Sequence, residues 1–321
     1  MMSNQLRLPA LLLLATLAVC ARAAPPAELR IGYQKSSVNL LVARHLGAIE
    51  RRFPGTRIRW VEFTAGPQLL EALGSRNLDF GMTGDTPPIF AQAAGRDILY
   101  VGQEPPKPRS SAILVPPDSK LATLSDLRGK RIAFQKGSSA HYLVLRALAK
   151  AGLRFSDIQP VYLVPADARA ALESHSIDAW AIWDPYWAAA ARGTRVKVLS
   201  TAEGIADDDT FYEASRQLVE QHPDAIESLF TALNEADHYV LAHPGEAAEW
   251  IAAATGLDRE AAATFLARRS DSPVNLLNPT GVAKQQAVAD SFVSAGLLPH
   301  RINVAEVVWH PKQTVPSAAS R

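Results

Sequence analysis

The sequence predicts an α/β protein made of two similar lobes, joined by two crossovers and completed by a helical C-terminal region. Three observations carry that expectation. From Glu28 to Leu199, short apolar runs alternate with amphipathic stretches in βαβα order, which implies mainly parallel sheets covered by helices. The alternation breaks twice, at the proline-rich Glu104–Pro108 (EPPKP) and at the polar, glycine-containing Thr201–Thr210. The two α/β segments also repeat one another. Gln34-Lys35-Ser36-Ser37 follows the first strand and opens a helix, and Gln135-Lys136-Gly137-Ser138-Ser139 does the same 101 positions later.

Element by element, Leu29–Tyr33 reads as a strand and Val38–Arg52 as a helix. Arg57–Phe63 is a strand, Gln68–Ser75 a helix and Leu78–Thr83 a strand. A helix begins near Pro87, and Ile98–Gly102 is again a strand. After the first break come strands at Ala112–Val115 and Arg131–Gln135, a helix over Ser138–Ala151, a strand at Val161–Val164 and a helix over Ala166–Ser174. Ala179–Trp183 is a strand, Tyr186–Arg192 a helix and Val196–Leu199 a strand. Beyond Ser215 the pattern is helical: Asp224–Leu241, Gly245–Ala254, Arg259–Ala267 and Gly281–Ala295. Asp85 lies six residues after Asp79 and Asp184 six after Asp178, each followed by proline within two positions. The C-terminal helices are needed to cover the first sheet. The expected organisation is therefore lobe one from 24–105 plus 211–321 and lobe two from 106–210, with hinges near 104–109 and 200–212 and a cleft between the lobes.

Composition narrows the function classes. With 33 Lys+Arg, 32 Asp+Glu and a formal charge of +1, the chain lacks the basic excess of a nucleic-acid binder. Its 48% hydrophobic content excludes a disordered chain. The apolar run LLLLATLAV at 11–19, preceded by Arg7 and followed by Ala21-Arg22-Ala23, has the layout of a signal peptide spanning 1–23, and it is too short to span a membrane. Cleavage there would remove the sole cysteine, Cys20, and leave 31 basic against 32 acidic residues. Leu17-Ala18-Val19-Cys20 has the outline of a lipoprotein box, with Val19 a poor fit. The expectation is an exported, periplasmic protein.

In open α/β sheets, ligands sit beyond the carboxyl ends of strands, where helix N-termini offer free N–H groups to an anion. Four segments fall at such turns: Gln34-Lys35-Ser36, Thr83-Gly84-Asp85-Thr86, Gly137-Ser138-Ser139 and Trp183-Asp184. Gly137 admits close approach of the backbone, and Ser138 and Ser139 can donate or simply cap the helix. At the second turn the N–H groups of Gly84 and Thr86, with the Thr86 hydroxyl, suit an anion, while Asp85 suits a cap. Lys35 and Lys136 are placed for electrostatic help or are ordinary surface lysines. His141 is a polar wall, a pH-sensitive donor or a surface residue. Trp183 is an apolar wall or core, and Trp180 and Trp187 are core. No G-x-S-x-G elbow, P-loop, HExxH pair or mature cysteine nucleophile is present, and Asp207-Asp208-Asp209 lacks the other ligands of a calcium loop. No catalytic, metal or cofactor site is expected.

Longer blocks carry a family resemblance. They include Leu29-Arg30-Ile31-Gly32-Tyr33-Gln34-Lys35, Trp60-Val61-Glu62-Phe63, Pro87-Pro88-Ile89-Phe90-Ala91-Gln92-Ala93-Ala94-Gly95, Glu104-Pro105-Pro106-Lys107-Pro108, Phe134-Gln135-Lys136-Gly137-Ser138-Ser139 and Ala179-Trp180-Ala181-Ile182-Trp183-Asp184-Pro185-Tyr186. Across Leu29 to Trp309 the chain resembles the solute-binding proteins of alkanesulfonate ABC importers. The resemblance implies a type II-like periplasmic binding fold that closes on an organic sulfonate and docks, as a monomer, on an inner-membrane ABC permease. Ser36 departs from the glycine that the family carries after the first Gln-Lys. Taurine, nitrate or another small anion would suit the same features, and so would an enzyme on the same fold.

Overall fold

The computed structural model describes residues 25–192 and 195–311; the expected signal peptide at 1–23 and Cys20 lie outside the described residues. Two sheets form. The first contains β1 (Glu28–Tyr33), β2 (Arg57–Glu62), β3 (Phe80–Gly84), β4 (Leu99–Glu104), β10 (Thr210–Ala214) and β11 (Asn275–Leu276), in the order β11-β4-β10-β3-β1-β2. The second contains β5 (Ser111–Val115), β6 (Arg131–Phe134), β7 (Gln159–Tyr162), β8 (Ala179–Trp183) and β9 (Lys197–Thr201), in the order β7-β6-β8-β5-β9. The orders are equivalent. A parallel trio (β2-β1-β3 or β7-β6-β8) is followed by one antiparallel strand, and that strand is the one the chain enters on arriving from the other sheet. The chain leaves the first sheet after Glu104 and joins the second at Ser111; it leaves the second after Thr201 and rejoins the first at Thr210.

The sequence reading left Thr210–Ala214 without an element, yet β10 is the middle of the first sheet and wholly buried. Its short TFYEA sequence hides this, because Glu213 is an unusual tenant of a central strand. The Thr83 hydroxyl donates to the Glu213 carboxyl at 2.8 Å, and burial pushes that group well above the usual carboxylate range. The expected helix Val38–Arg52 is two helices, α1 (Val38–Leu46) and α2 (Ala48–Arg52). Gly47 between them adopts φ 63°, a left-handed C-cap whose N–H returns to the carbonyls of Ala43 and Arg44.

Helices cover both faces of each sheet. On the first, α3 (Gly66–Gly74) and α4 (Thr86–Ala93) pack Leu69, Leu70, Leu73 and Ala91 with Ile98 on one side. On the other side α1 and α2 join the C-terminal helices α8 (Arg216–Gln221), α9 (Asp224–Ala242), α10 (Pro244–Thr255) and α11 (Arg259–Arg268) in the largest core. On the second sheet, α5 (Ser139–Lys150) covers one face and α6 (Pro165–Glu173) and α7 (Tyr186–Ala191) the other; Trp180 and Trp187 are buried there. The last helix, α12 (Pro279–Ser294), packs Val288, Ala289 and Phe292 against Ile89 of α4 and Leu145 of α5, so it touches both lobes.

The internal repeat extends to polar detail. Asp79 accepts the Arg30 N–H (2.8 Å) and pairs with its guanidinium (2.7 Å), while Arg30 Nη1 reaches the carbonyl of Arg76 (2.7 Å). In the second lobe Asp178 accepts the Arg131 N–H (2.8 Å) and pairs with its guanidinium (2.9 Å), while Arg131 Nη2 reaches the carbonyl of His175 (3.0 Å). Arg76 and His175 share a left-handed backbone, φ 60° and 55°. Each network pins the loop before one strand (β3 or β8) to the parallel strand beside it, β1 or β6. The Asp79 side chain is 12% exposed and that of Asp178 is 31%. Asp79→Asn is therefore expected to cost ~1–2 kcal/mol in urea unfolding and Asp178→Asn less, because water shares more of the second network. Equal costs, or the reverse order, would contradict this ranking.

Candidate functional site

The parallel strands of both sheets end at one cleft. From the first lobe it is lined by the β1–α1 turn (Gln34, Ser36, Val38, Asn39), Gly66, Met82, Gly84 and Pro87, and by Phe265 and Arg269 at the end of α11. The second lobe supplies Ser138, Ser139 and Trp183. Glu104, Lys107, Ser110 and Asp208 to Thr210 come from the chain crossings. Four helices, α1, α3, α4 and α5, begin at this cleft, and none has a side-chain cap at its N-terminus. Of the helices that begin elsewhere, α8, α11 and α12 are capped by Ser215, Asp258 and Asn278, while α6, α9 and α10 have no side-chain cap. First-turn N–H groups have no intrahelical acceptor, and the helix dipole adds positive potential, so convergent uncapped N-termini suit a negative group.

A fixed cation reinforces them. Arg269 is 8% exposed. Its Nη2 donates to Asp237 Oδ1 (2.6 Å) and Asn39 Oδ1 (2.9 Å), and its Nη1 has no hydrogen-bond partner among the described residues. Asn39 in turn donates to Glu104 at 3.0 Å, and Lys107 pairs with Glu104 at 2.5 Å and donates to the Thr210 hydroxyl at 3.1 Å. Burial would raise Glu104, but Lys107 and Arg269 outweigh it and hold the carboxylate below its ordinary range. The other acids behave differently. Burial pushes Asp208 up to about 6, although the Ser111 hydroxyl donates to it at 2.7 Å, and burial together with the charge of Asp208 pushes Asp85 up to about 7. Burial raises Asp209 as well. Asp85 and Asp208 take up protons as pH falls through about 7 and about 6, which lowers the negative charge around the cleft. Trp183, edge-on to Tyr186 at 5.9 Å, adds an apolar wall together with Val38, Met82, Pro87 and Phe265.

A family model described as NMT1/THI5 like matches residues 57–247. An aliphatic sulfonates-binding protein of Escherichia coli (strain K12) is 44% identical over 309 residues, 96% of this chain and 97% of that protein. A second, from Bacillus subtilis (strain 168), is 32% identical over 88% of this chain and 85% of its own length. The alkanesulfonate-binding protein SsuA from Xanthomonas axonopodis pv. citri, solved bound to MOPS, has a TM-score of 0.87 at 47% identity, covering 89% of this chain and 99% of that one. The chain belongs to the NMT1/THI5-like family, among its aliphatic sulfonates-binding proteins.

The fold is thus the two-lobed one of SsuA, and the chain groups with binding proteins rather than enzymes. Of the residues expected from sequence to form the site, Gln34, Gly84, Ser138, Ser139 and Trp183 line the cleft of this family member. The others stand behind it or face away. Lys35 extends to the carbonyl of Thr255 at 2.9 Å, and Lys136 lies 5.5 Å from the ring of Tyr162. Asp85 is buried beneath the cleft. Its side chain caps nothing; it accepts the Thr86 hydroxyl at 2.8 Å, and that bond occupies Thr86. Asp184 is buried against Arg268 at 3.0 Å and accepts the Ala188 N–H; burial pushes it up to about 6 against the pull of Arg268.

His141 fits none of the three roles open to it from sequence. It is fully buried among Phe134, Phe90, Phe155, Tyr162 and Phe292, and its Nδ1 accepts the N–H of Gly137 at 3.3 Å. Burial lowers it to about 3, so it is neutral and serves to hold the Gly137 turn from behind. Gly137 has φ 74°, which explains the glycine. Ser36 in the corresponding first-lobe turn is not left-handed; the turn closes through the Ser37 N–H to the Gln34 carbonyl at 2.9 Å, so the departure from glycine carries no backbone strain. Sequence reasoning missed Asn39, Lys107, Ser110 and Arg269. The adjacent Arg268-Arg269 at a helix end was the available signal. Among the described residues no group of three or more His, Cys, Asp or Glu side chains is arranged to hold a metal ion.

Two tests follow from this geometry. Asp85 has a folded pKa of about 7 against an ordinary 3.8, so its stabilising contribution is complete below pH 4 and is lost as pH rises through 7. Asp85→Asn should therefore gain ~1–3 kcal/mol on the wild type at pH 8 and nothing at pH 4, read by urea unfolding; a parallel pH profile would refute the assignment. A side chain at Gly84 would run into Ser139 Oγ across the cleft. Gly84→Val should abolish ligand binding measured by calorimetry while leaving the ligand-free melting temperature within a few degrees; retained affinity would show that the lobes need not meet there.

Proposed function

We propose that this protein is the periplasmic substrate-binding component of an ABC importer. It captures an organic sulfonate between its lobes and delivers it to an inner-membrane permease for sulfur acquisition, after removal of a signal peptide at 1–23 and as a monomer. Lobe one is assigned to 24–105 plus 211–321, lobe two to 106–210, and the hinges to 104–109 and 200–212. One observation carries the reading: the cleft presents uncapped helix N-termini from both lobes together with a clamped guanidinium whose Nη1 has no partner among the described residues.

A sulfonate is ionised at every physiological pH, so neutral N–H and hydroxyl donors and one fixed cation suffice to hold it. Ligand that touches both lobes favours their closed arrangement, because only that arrangement offers both sets of donors. Trp183, Phe265, Val38 and Met82 give an organic tail an apolar wall that nitrate or sulfate would leave unused. The names of the relatives point the same way: aliphatic sulfonates for the Escherichia coli and Bacillus subtilis proteins, MOPS in the Xanthomonas structure. No helix among the described residues is long and apolar enough to cross a membrane.

Calorimetry of residues 24–321 against short and long alkanesulfonates, MOPS, taurine, sulfate, nitrate and matched carboxylates tests this reading. Organic sulfonates should bind best, and Arg269→Gln should weaken them ~10–100-fold. Preference for nitrate or sulfate would overturn the substrate, and unchanged affinity in Arg269→Gln would remove Arg269 from the site.

A further inference from the structure

Helix α7 of the second lobe and α11 of the first lie side by side, with ion pairs at both ends. Asp184, just ahead of α7, meets Arg268 at the end of α11 through both carboxylate oxygens, at 3.0 and 3.1 Å. Arg192, just after α7, meets Asp258, the N-cap of α11, at 2.7 Å. The reciprocal ends mean that the helices run in opposite directions, and each acid sits at a helix N-terminus and each base at a C-terminus, which favours both pairs. The two pairs are unequal. The Asp184 side chain is fully buried and that of Arg268 is 20% exposed, whereas Arg192 is 69% exposed. The Arg268 guanidinium also lies 3.4 Å from the ring centroid of Trp187, on α7. The next residue is Arg269, which lines the cleft.

We propose that Arg268 is an affinity-determining positioning residue that never touches the ligand. It clasps the second lobe through Asp184 and Trp187, and through its neighbour Arg269 it ties that clasp to occupation of the cleft. The inference rests on the carrier reading above. With Arg268 removed, closure would bury the Asp184 carboxylate with only the Ala188 N–H to receive it and no counter-charge, while an open form would leave it to water. The penalty therefore falls on the closed state alone, and with it on dissociation rather than association. The exposed Arg192–Asp258 pair contributes little.

The test uses the wild type, Arg268→Met, Asp184→Asn, the double variant and Arg192→Met, with MOPS as probe in stopped-flow tryptophan fluorescence, and with energy transfer between dyes on the two lobes. Arg268→Met should dissociate MOPS ~30–300-fold faster with association within ~3-fold, and the double variant should recover most of the loss. Arg192→Met should change affinity less than ~3-fold, and the ligand-free melting temperatures should agree. The dye distances should show Arg268→Met more open than wild type at equal MOPS. Unchanged dissociation, a loss confined to association, or no recovery in the double variant would overturn the clasp. If wild type fails to bind MOPS or any other sulfonate, the carrier reading falls; dye distances in the ligand-free proteins then decide the clasp, a lower closed fraction in Arg268→Met supporting it and an identical one rejecting it.

Discussion

Everything at the cleft depends on the two chain crossings being tied to each other. The Lys107 N–H donates to the carbonyls of Asp207 and Asp208, at 3.1 and 3.3 Å, and the Lys107 ammonium bridges Glu104 and Thr210. Each crossing then runs straight into a buried strand, β5 or β10, set antiparallel within the receiving sheet. With the proposed hinges at 104–109 and 200–212, rotation about these paired crossings is the motion that would open and close the cleft. The same connection points the carboxyl ends of both parallel trios at one another. Residues at the starts of α1, α3, α4 and α5 therefore line one cleft.

An anion site so close to acids needs its charges balanced. Glu104 is paired with Lys107 and bridged by Asn39 to Arg269, while burial disfavours ionisation of Asp208, Asp209, Asp85 and Glu213. The first arrangement keeps a charge and pairs it; the second suppresses the charge. Asp237 and Asn39 hold one nitrogen of the Arg269 guanidinium, and its Nη1 has no hydrogen-bond partner among the described residues. The sulfonate reading draws on that unused charged donor. The apolar faces of Trp183 and Phe265 then select for an organic tail.

Much of the fold was legible because strand and helix periodicities are local. Leu29–Tyr33, Ala179–Trp183 and the helix beginning at Ser138 emerge within a residue or two of where the sequence places them. The duplicated Gln-Lys turns were visible as letters, and they mark equivalent places in the two sheets. What escaped depends on partners distant in sequence. Thr210–Ala214 is a strand because β3 and β4 flank it, and Glu213 is tolerated there because Thr83 reaches it. His141 looked like a site histidine from its place near the serines, yet aromatic rings from both lobes close over it. Arg269 was invisible because its cage, Asn39 and Asp237, lies 230 and 32 residues away.

The most direct measurement is a crystal structure of the mature protein with a short alkanesulfonate bound. The account predicts the sulfonate oxygens within hydrogen-bond distance of the Arg269 guanidinium and of first-turn N–H groups from both lobes, with the alkyl chain against Trp183 and Arg268 still on Asp184. A sulfonate seated on one lobe alone, or a head group that leaves Arg269 untouched, would contradict it.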